Sequence, residues 1–210
     1  MLIYIPGMSS TGKTTLLNRI RELSEDGLFQ KILGLPPHKV EFIAEFTRSV
    51  FKQEAPAYMT YEDLISHPRE CLIFQQRVAE ALKWKMQTTP YNVPDRIFIC
   101  DRAPIDYRIN LMLNYNTGDP EWMKELEDHY RAIDWDFSQL PEADFTFMTN
   151  PYSNWNKVEY DGFRPEKYAY RRVIEEQAFK LASAVSGIRI LPDGVDDRVG
   201  FIIRSIILKG

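Results

Sequence analysis

The chain has 210 residues, 44% of them hydrophobic, which suits one domain with a full core and a small lid or insertion. Its net charge of −4, from 30 acidic and 26 basic residues, excludes a broad basic surface for a long nucleic-acid backbone and leaves room only for a local groove. Two cysteines, Cys71 and Cys100, are far apart in sequence and show no metal or disulfide pattern, and no apolar run approaches the about 18 residues of a membrane span, so reduced thiols and a cytoplasmic setting are expected.

The apolar run Leu2-Ile3-Tyr4-Ile5 predicts a buried strand. No basic segment precedes it, so it reads as a core strand rather than a secretion signal. It runs directly into Gly7-Met8-Ser9-Ser10-Thr11-Gly12-Lys13-Thr14, which matches G-x-x-x-x-G-K-[ST] at every fixed position. Leu16, Leu17 and Ile20 then restore helical spacing. Strand, glycine loop and helix make a phosphate cradle. Backbone N–H groups along Gly7, Ser9, Ser10, Thr11, Gly12, Lys13, Thr14 and Thr15 supply donors at the positive end of the helix. Lys13 places a point charge on the β- and γ-phosphates, and Thr14 offers a hydroxyl to Mg²⁺.

Residues 27–39 read as a connection, and Val40 to Ala44 as a second strand leading to Glu45, with Arg48 three residues on. Residues 59–86 predict helix with Pro68 breaking or starting an element. Within it Leu72, Ile73, Gln76, Ala79, Leu82 and Met86 mark the inner face. Arg96 to Cys100 is a third strand, with Asp101-Arg102 at its end and a helix start at Ala103-Pro104. Residues 121–133 predict helix, 144–148 a fourth strand leading to Thr149-Asn150, 165–184 helix, 187–191 a fifth strand and 195–208 a last helix. Strands alternating with helices argue for an α/β fold with a mostly parallel sheet. In such sheets chemistry gathers at the carboxyl ends of the strands.

Those ends carry the remaining candidates. Asp101 suits either Mg²⁺ binding or the base that takes a proton from a substrate hydroxyl; a helix cap is the structural alternative. Glu45 suits the same base role or a hydrogen bond to the acceptor. Arg102 suits neutralising a phosphate or orienting an acceptor oxygen, with a structural ion pair as the alternative, and Arg48 suits an acceptor phosphate or base, because a planar guanidinium makes paired contacts. In residues 164–172, Arg164, Lys167 and Arg171 fall on one helical face. A cationic face after the aromatic, asparagine-rich segment 152–163 is what a closing phosphate lid needs.

Taken together, the phosphate loop, Glu45 with Arg48, Cys100-Asp101-Arg102-Ala103-Pro104-Ile105-Asp106 and the arginine-bearing stretch 164–172 resemble the P-loop nucleoside and nucleotide kinases, in particular thymidylate-kinase-like and nicotinamide-riboside-kinase-like members. The resemblance spans residues 1 to about 190. It implies a P-loop NTPase three-layer sandwich: a five-stranded parallel sheet in order 2-3-1-4-5, helices on both faces, and a lid at about 152–172 in a single domain over 1–210. It implies Mg-ATP as donor, with Lys13 and Thr14 serving ATP and Mg²⁺. Glu45 or Asp101 would act as base or metal-shell residue, Arg102 and Arg48 would hold the acceptor, and Arg164 and Arg171 would clamp the transferring phosphate. Position 103 is Ala where thymidylate kinases have an Asp-Arg-Tyr motif, so the acceptor stays open. A free nucleoside or nucleotide is one acceptor. A hydroxymethylated pyrimidine base within DNA is another, since viral relatives of the group phosphorylate one, which would place the protein in a host cytoplasm. A partner-regulated P-loop ATPase is the reading from another class.

Overall fold

The computed structural model describes residues 1–7, 11–34, 39–54, 64, 67–91, 93, 96–106, 120–138, 140–150, 180 and 187–209. The elements are, in chain order, β1 (Leu2–Ile5), α1 (Lys13–Glu25), α2 (Leu28–Ile32), β2 (Lys39–Ile43), α3 (Thr47–Glu54), α4 (Pro68–Thr88), β3 (Arg96–Asp101), α5 (Pro120–Ser138), β4 (Phe145–Met148), β5 (Ile188–Ile190) and α6 (Val195–Ile207). The strands form one sheet in order β2-β3-β1-β4-β5, and every pairing is parallel. The strand order and layering are those that the resemblance implied.

The inner strands β3, β1 and β4 are largely buried on both faces, which is why they read as near-continuous apolar runs, whereas the edge strands β2 and β5 carry Glu41 and Arg189 and are only partly buried or exposed. Successive side chains leave a strand on opposite sides. Leu2 and Tyr4 of β1 and Phe98 and Cys100 of β3 join Val50, Leu72, Phe74, Val78, Leu82 and Met86 in one core, beneath α3, α4 and α5. Ile3, Ile5, Ile97 and Ile99 join Leu16, Ile20, Phe147, Val199 and Ile202 in the other, beneath α1 and α6. Both cysteines are reduced and buried. No helix among the described residues is long and apolar enough to cross a membrane.

Several elements differ from expectation. The connection at 27–39 contains the short helix α2, started by Gly27 in a left-handed conformation and anchored by the fully buried Phe29. Helix α4 begins at Pro68, in the first helical turn where its missing N–H costs nothing. Its inner face is wider than the expected stripe and shifted from it. Cys71, Phe74, Gln75 and Val78 are buried, whereas Ile73 is 57% exposed. Helix α5 runs five residues past the expected end at 133, to Ser138. The expected lid at 152–172 lies outside the described residues.

Candidate phosphate-transfer site

Strand register assembles the site. Ile5 of β1 pairs with Asp101 of β3, so the residues just beyond them, Gly7 and Arg102, come together. Ile43 of β2 pairs with Cys100, so Glu45 and Arg102, each two residues further on, also meet. Tyr4 pairs with Thr146 of β4, so Gly7 and Thr149, each three residues further on, are neighbours too. The line Glu45, Arg102, Gly7, Thr149 therefore follows from strand order and register alone.

The contacts bear this out. Arg102 donates through Nη2 to Glu45 Oε1 at 2.7 Å and through Nη1 to the Gly7 carbonyl at 3.0 Å. Lys13 Nζ donates to the same carbonyl at 2.6 Å, so two cations converge on the first glycine of the loop. Thr11 and Thr149 share a hydrogen bond between their hydroxyls at 2.6 Å, which ties the loop to the end of β4. Gly7 has φ +147°, and a Cβ on it would collide with Thr149 Oγ1; glycine is required there on both counts.

Asp106 was not among the expected site residues. It is 2% exposed, and its two carboxylate oxygens accept from the Gly7 and Ala103 N–H groups, each at 2.8 Å. The second bond is one half of a capping box: residues 104–106 are helical, and the side chain at the third position reaches back to the N-cap amide. The helix-cap role weighed for Asp101 thus belongs to Asp106. Its signal in the sequence was the Ala103-Pro104-Ile105-Asp106 helix start. The bond from the Gly7 N–H, ninety-nine residues away, has no local signal.

The electrostatics separate the two strand-end carboxylates. Burial raises the Glu45 pKa, but Arg102 and Lys13 outweigh it, and hydrogen bonds from Arg102 and Thr47 add to them, leaving it at about 2. Asp101 moves the other way: burial raises it, Lys13 and Arg102 oppose, and the neighbouring Glu45 and Asp106 carboxylates push it further up. Lys13 falls to about 8, chiefly through burial and then through Arg102.

Asp101 Oδ1 is buried without a hydrogen-bond partner. A buried carboxylate oxygen in that condition calls for a cation or an ordered water. With the Thr14 side chain exposed at the start of α1, the donor set is hard oxygen, which fits Mg²⁺. Arg48 projects, exposed, from the first turn of α3. Thr15 is exposed on α1. Ser9, Ser10, Arg164 and Arg171 lie outside the described residues.

The comparisons with known proteins follow the same line. A family model described as an AAA domain matches residues 2–191. No curated protein matches the sequence. Among solved structures, deoxyadenosine kinase from M. mycoides with dCMP and dCDP bound superimposes with a TM-score of 0.64 at 16% identity, covering 100% of each chain. Thymidylate kinase from Candida albicans gives 0.54 at 14% identity, over 99% of this chain and 91% of that one. The NadR protein in complex with NR gives 0.59 at 18% identity; 98% of this chain is covered but only 50% of NadR, so this chain spans about half of that protein. At such identities the likeness establishes a shared fold.

Proposed function

The chain belongs to the AAA domain family, and from that premise we propose that it is an ATP-dependent phosphotransferase acting on a hydroxyl or phosphate of a nucleoside or nucleotide. The observation that carries the reading is the Glu45–Arg102–Gly7 line. A carboxylate and an arginine stand on the acceptor side, in contact with the first glycine of a phosphate loop. Proteins of this fold that act as nucleoside and nucleotide kinases support the substrate class.

In the proposed reaction the bond between the β,γ-bridging oxygen and the γ-phosphorus breaks, and a bond from the acceptor oxygen to that phosphorus forms. ADP leaves, and where the acceptor is a hydroxyl its proton passes to a carboxylate. Glu45 takes that role because it is ionised at neutral pH and faces the acceptor side. Its low pKa makes it a weak base, which suits a loose transition state in which the hydroxyl proton leaves late. Arg102 holds Glu45 in place and offers charge to the acceptor. Lys13 moves from the Gly7 carbonyl to the β- and γ-phosphates. Thr14 and Asp101 would hold Mg²⁺, which neutralises charge on the phosphates when bound. Arg164 and Arg171 are proposed to close over the transferring group.

The test follows γ-labelled ATP with Mg²⁺ against deoxynucleosides, their monophosphates, nicotinamide riboside, and DNA with and without hydroxymethylated bases. Label entering one acceptor is expected and identifies it. Glu45→Gln and Asp101→Asn should each lower transfer by at least about a hundredfold while ATP still binds. Label appearing only as free phosphate, whatever the acceptor, would instead support a partner-regulated ATPase.

A further inference from the structure

Arg198, on the first turns of α6, is 5% exposed. Its Nη1 donates to the Thr11 carbonyl at 2.7 Å, and its Nε donates to the Pro192 carbonyl at 2.9 Å. The guanidinium therefore ties the phosphate loop to the turn after β5, across 187 residues of sequence. Gly12 is shaped around it: a Cβ there would come within 2.9 Å of Arg198 Nη1, and its φ of +82° also excludes most side chains.

The contact has a consequence for the loop's donors. The chain contains no cis peptide among its described residues, so the Thr11 carbonyl and the Gly12 N–H point in opposite directions from one rigid plane. With the carbonyl held toward α6, the Gly12 N–H is turned away from it. Gly12 is also the N-cap of α1, and no side chain caps that helix end. We infer that Arg198 is a positioning residue for the phosphate loop: by fixing the Thr11–Gly12 peptide plane it presents the Gly12 N–H to the bound phosphates. Peptide-plane flips are the ordinary motion of a glycine-flanked bond, and a buried charge-assisted hydrogen bond opposes this one. The role lies in the site assigned above and rests on that assignment. Arg198 itself touches the loop and is given no contact with substrate.

The experiment measures binding of inorganic tripolyphosphate and of ATP, with Mg²⁺, to the full chain by calorimetry, together with melting temperature. Tripolyphosphate reads the loop alone, free of any contribution from a nucleobase. Arg198→Met, which keeps the length and removes the donors, is expected to weaken tripolyphosphate and ATP alike by roughly tenfold, the loss of one well-aligned charge-assisted donor. Arg198→Lys, which can still donate to Thr11, should recover part of that loss. A lower melting temperature with wild-type tripolyphosphate affinity would overturn the inference, since Arg198 would then be a structural tie only. If the methionine variant does not fold, the lysine variant decides: wild-type affinity with wild-type response to both ligands overturns the inference, and weakened affinity supports it. Failure of the wild-type chain to bind tripolyphosphate or ATP would overturn the phosphate-loop assignment itself, a result distinct from any difference among variants.

Discussion

Arg102 has φ +118°, a backbone value that a residue with a Cβ adopts only when its surroundings impose it. Strain of this kind costs about 1–3 kcal/mol. Here the Gly7 carbonyl, Glu45 and, at 3.6 Å, Asp106 hold the side chain from three directions. The guanidinium so held spans the ends of β1 and β2, reaching the Gly7 carbonyl and Glu45. The Glu45–Arg102 pair also sets a pH dependence. The Glu45 pKa lies at about 2 in the folded protein against an ordinary 4.5, so the unfolded chain binds the extra proton first as pH falls. The stability that Glu45 contributes is present in full above 4.5 and is lost as pH drops from there toward 2. Urea unfolding of the wild type and Glu45→Gln across that range should show a difference that is largest near neutral pH and shrinks through the window. A difference that stays constant down to pH 2 would show that the pair does not hold the carboxyl down.

Among the elements, the turn from β3 into the helical residues 104–106 has the most to hold together. One carboxylate, that of Asp106, satisfies the first amide of the phosphate loop and the N-cap amide of its own helix. Removing it leaves two buried N–H groups without their acceptor, each worth about 1–3 kcal/mol. Asp106→Ala should therefore destabilise the fold by roughly 2–5 kcal/mol in chemical denaturation. Asp106→Asn, with one acceptor oxygen, should lose about half as much. Equal losses for both would place the effect in the charge and not in the hydrogen bonds. Helix α4 shows where periodicity falls short at this scale. Its inner face was read from a single stripe, but it packs beside both α3 and α5, so Cys71, Phe74, Gln75 and Val78 are buried where one stripe would have left them outside. The Gln75 amide nitrogen is buried without a hydrogen-bond partner, a polar group the apolar pattern could not flag.

At the scale of the molecule, the sheet divides the apolar interior into two cores. Phe147 is fully buried in the core beneath α1 and α6, stacked at 5.6 Å on Phe145 and edge-on to Phe201 at 6.3 Å. Phe147→Ala should cost about 3–5 kcal/mol, measured as a shift in denaturation midpoint with unchanged slope. A cost below 1 kcal/mol would mean that this layer collapses onto the void. The sequence by itself determined the inner strands, because a strand buried on both faces must be apolar throughout, and it determined the phosphate loop, because close phosphate approach needs glycines and a lysine at fixed spacing. It also placed Glu45, Asp101 and Arg102 at strand ends, where an α/β sheet collects its chemistry. The strand order came from resemblance and not from any residue pattern. Register, and with it the meeting of Glu45, Arg102, Gly7 and Thr149, was decided only in the tertiary structure, since parallel pairing joins residues dozens of positions apart and leaves no local mark. The same holds for Asp106 on Gly7 and Arg198 on Thr11. Each is a side chain hydrogen-bonded to a distant backbone group, and every residue carries the same backbone groups, so the sequence cannot say which one a side chain will find.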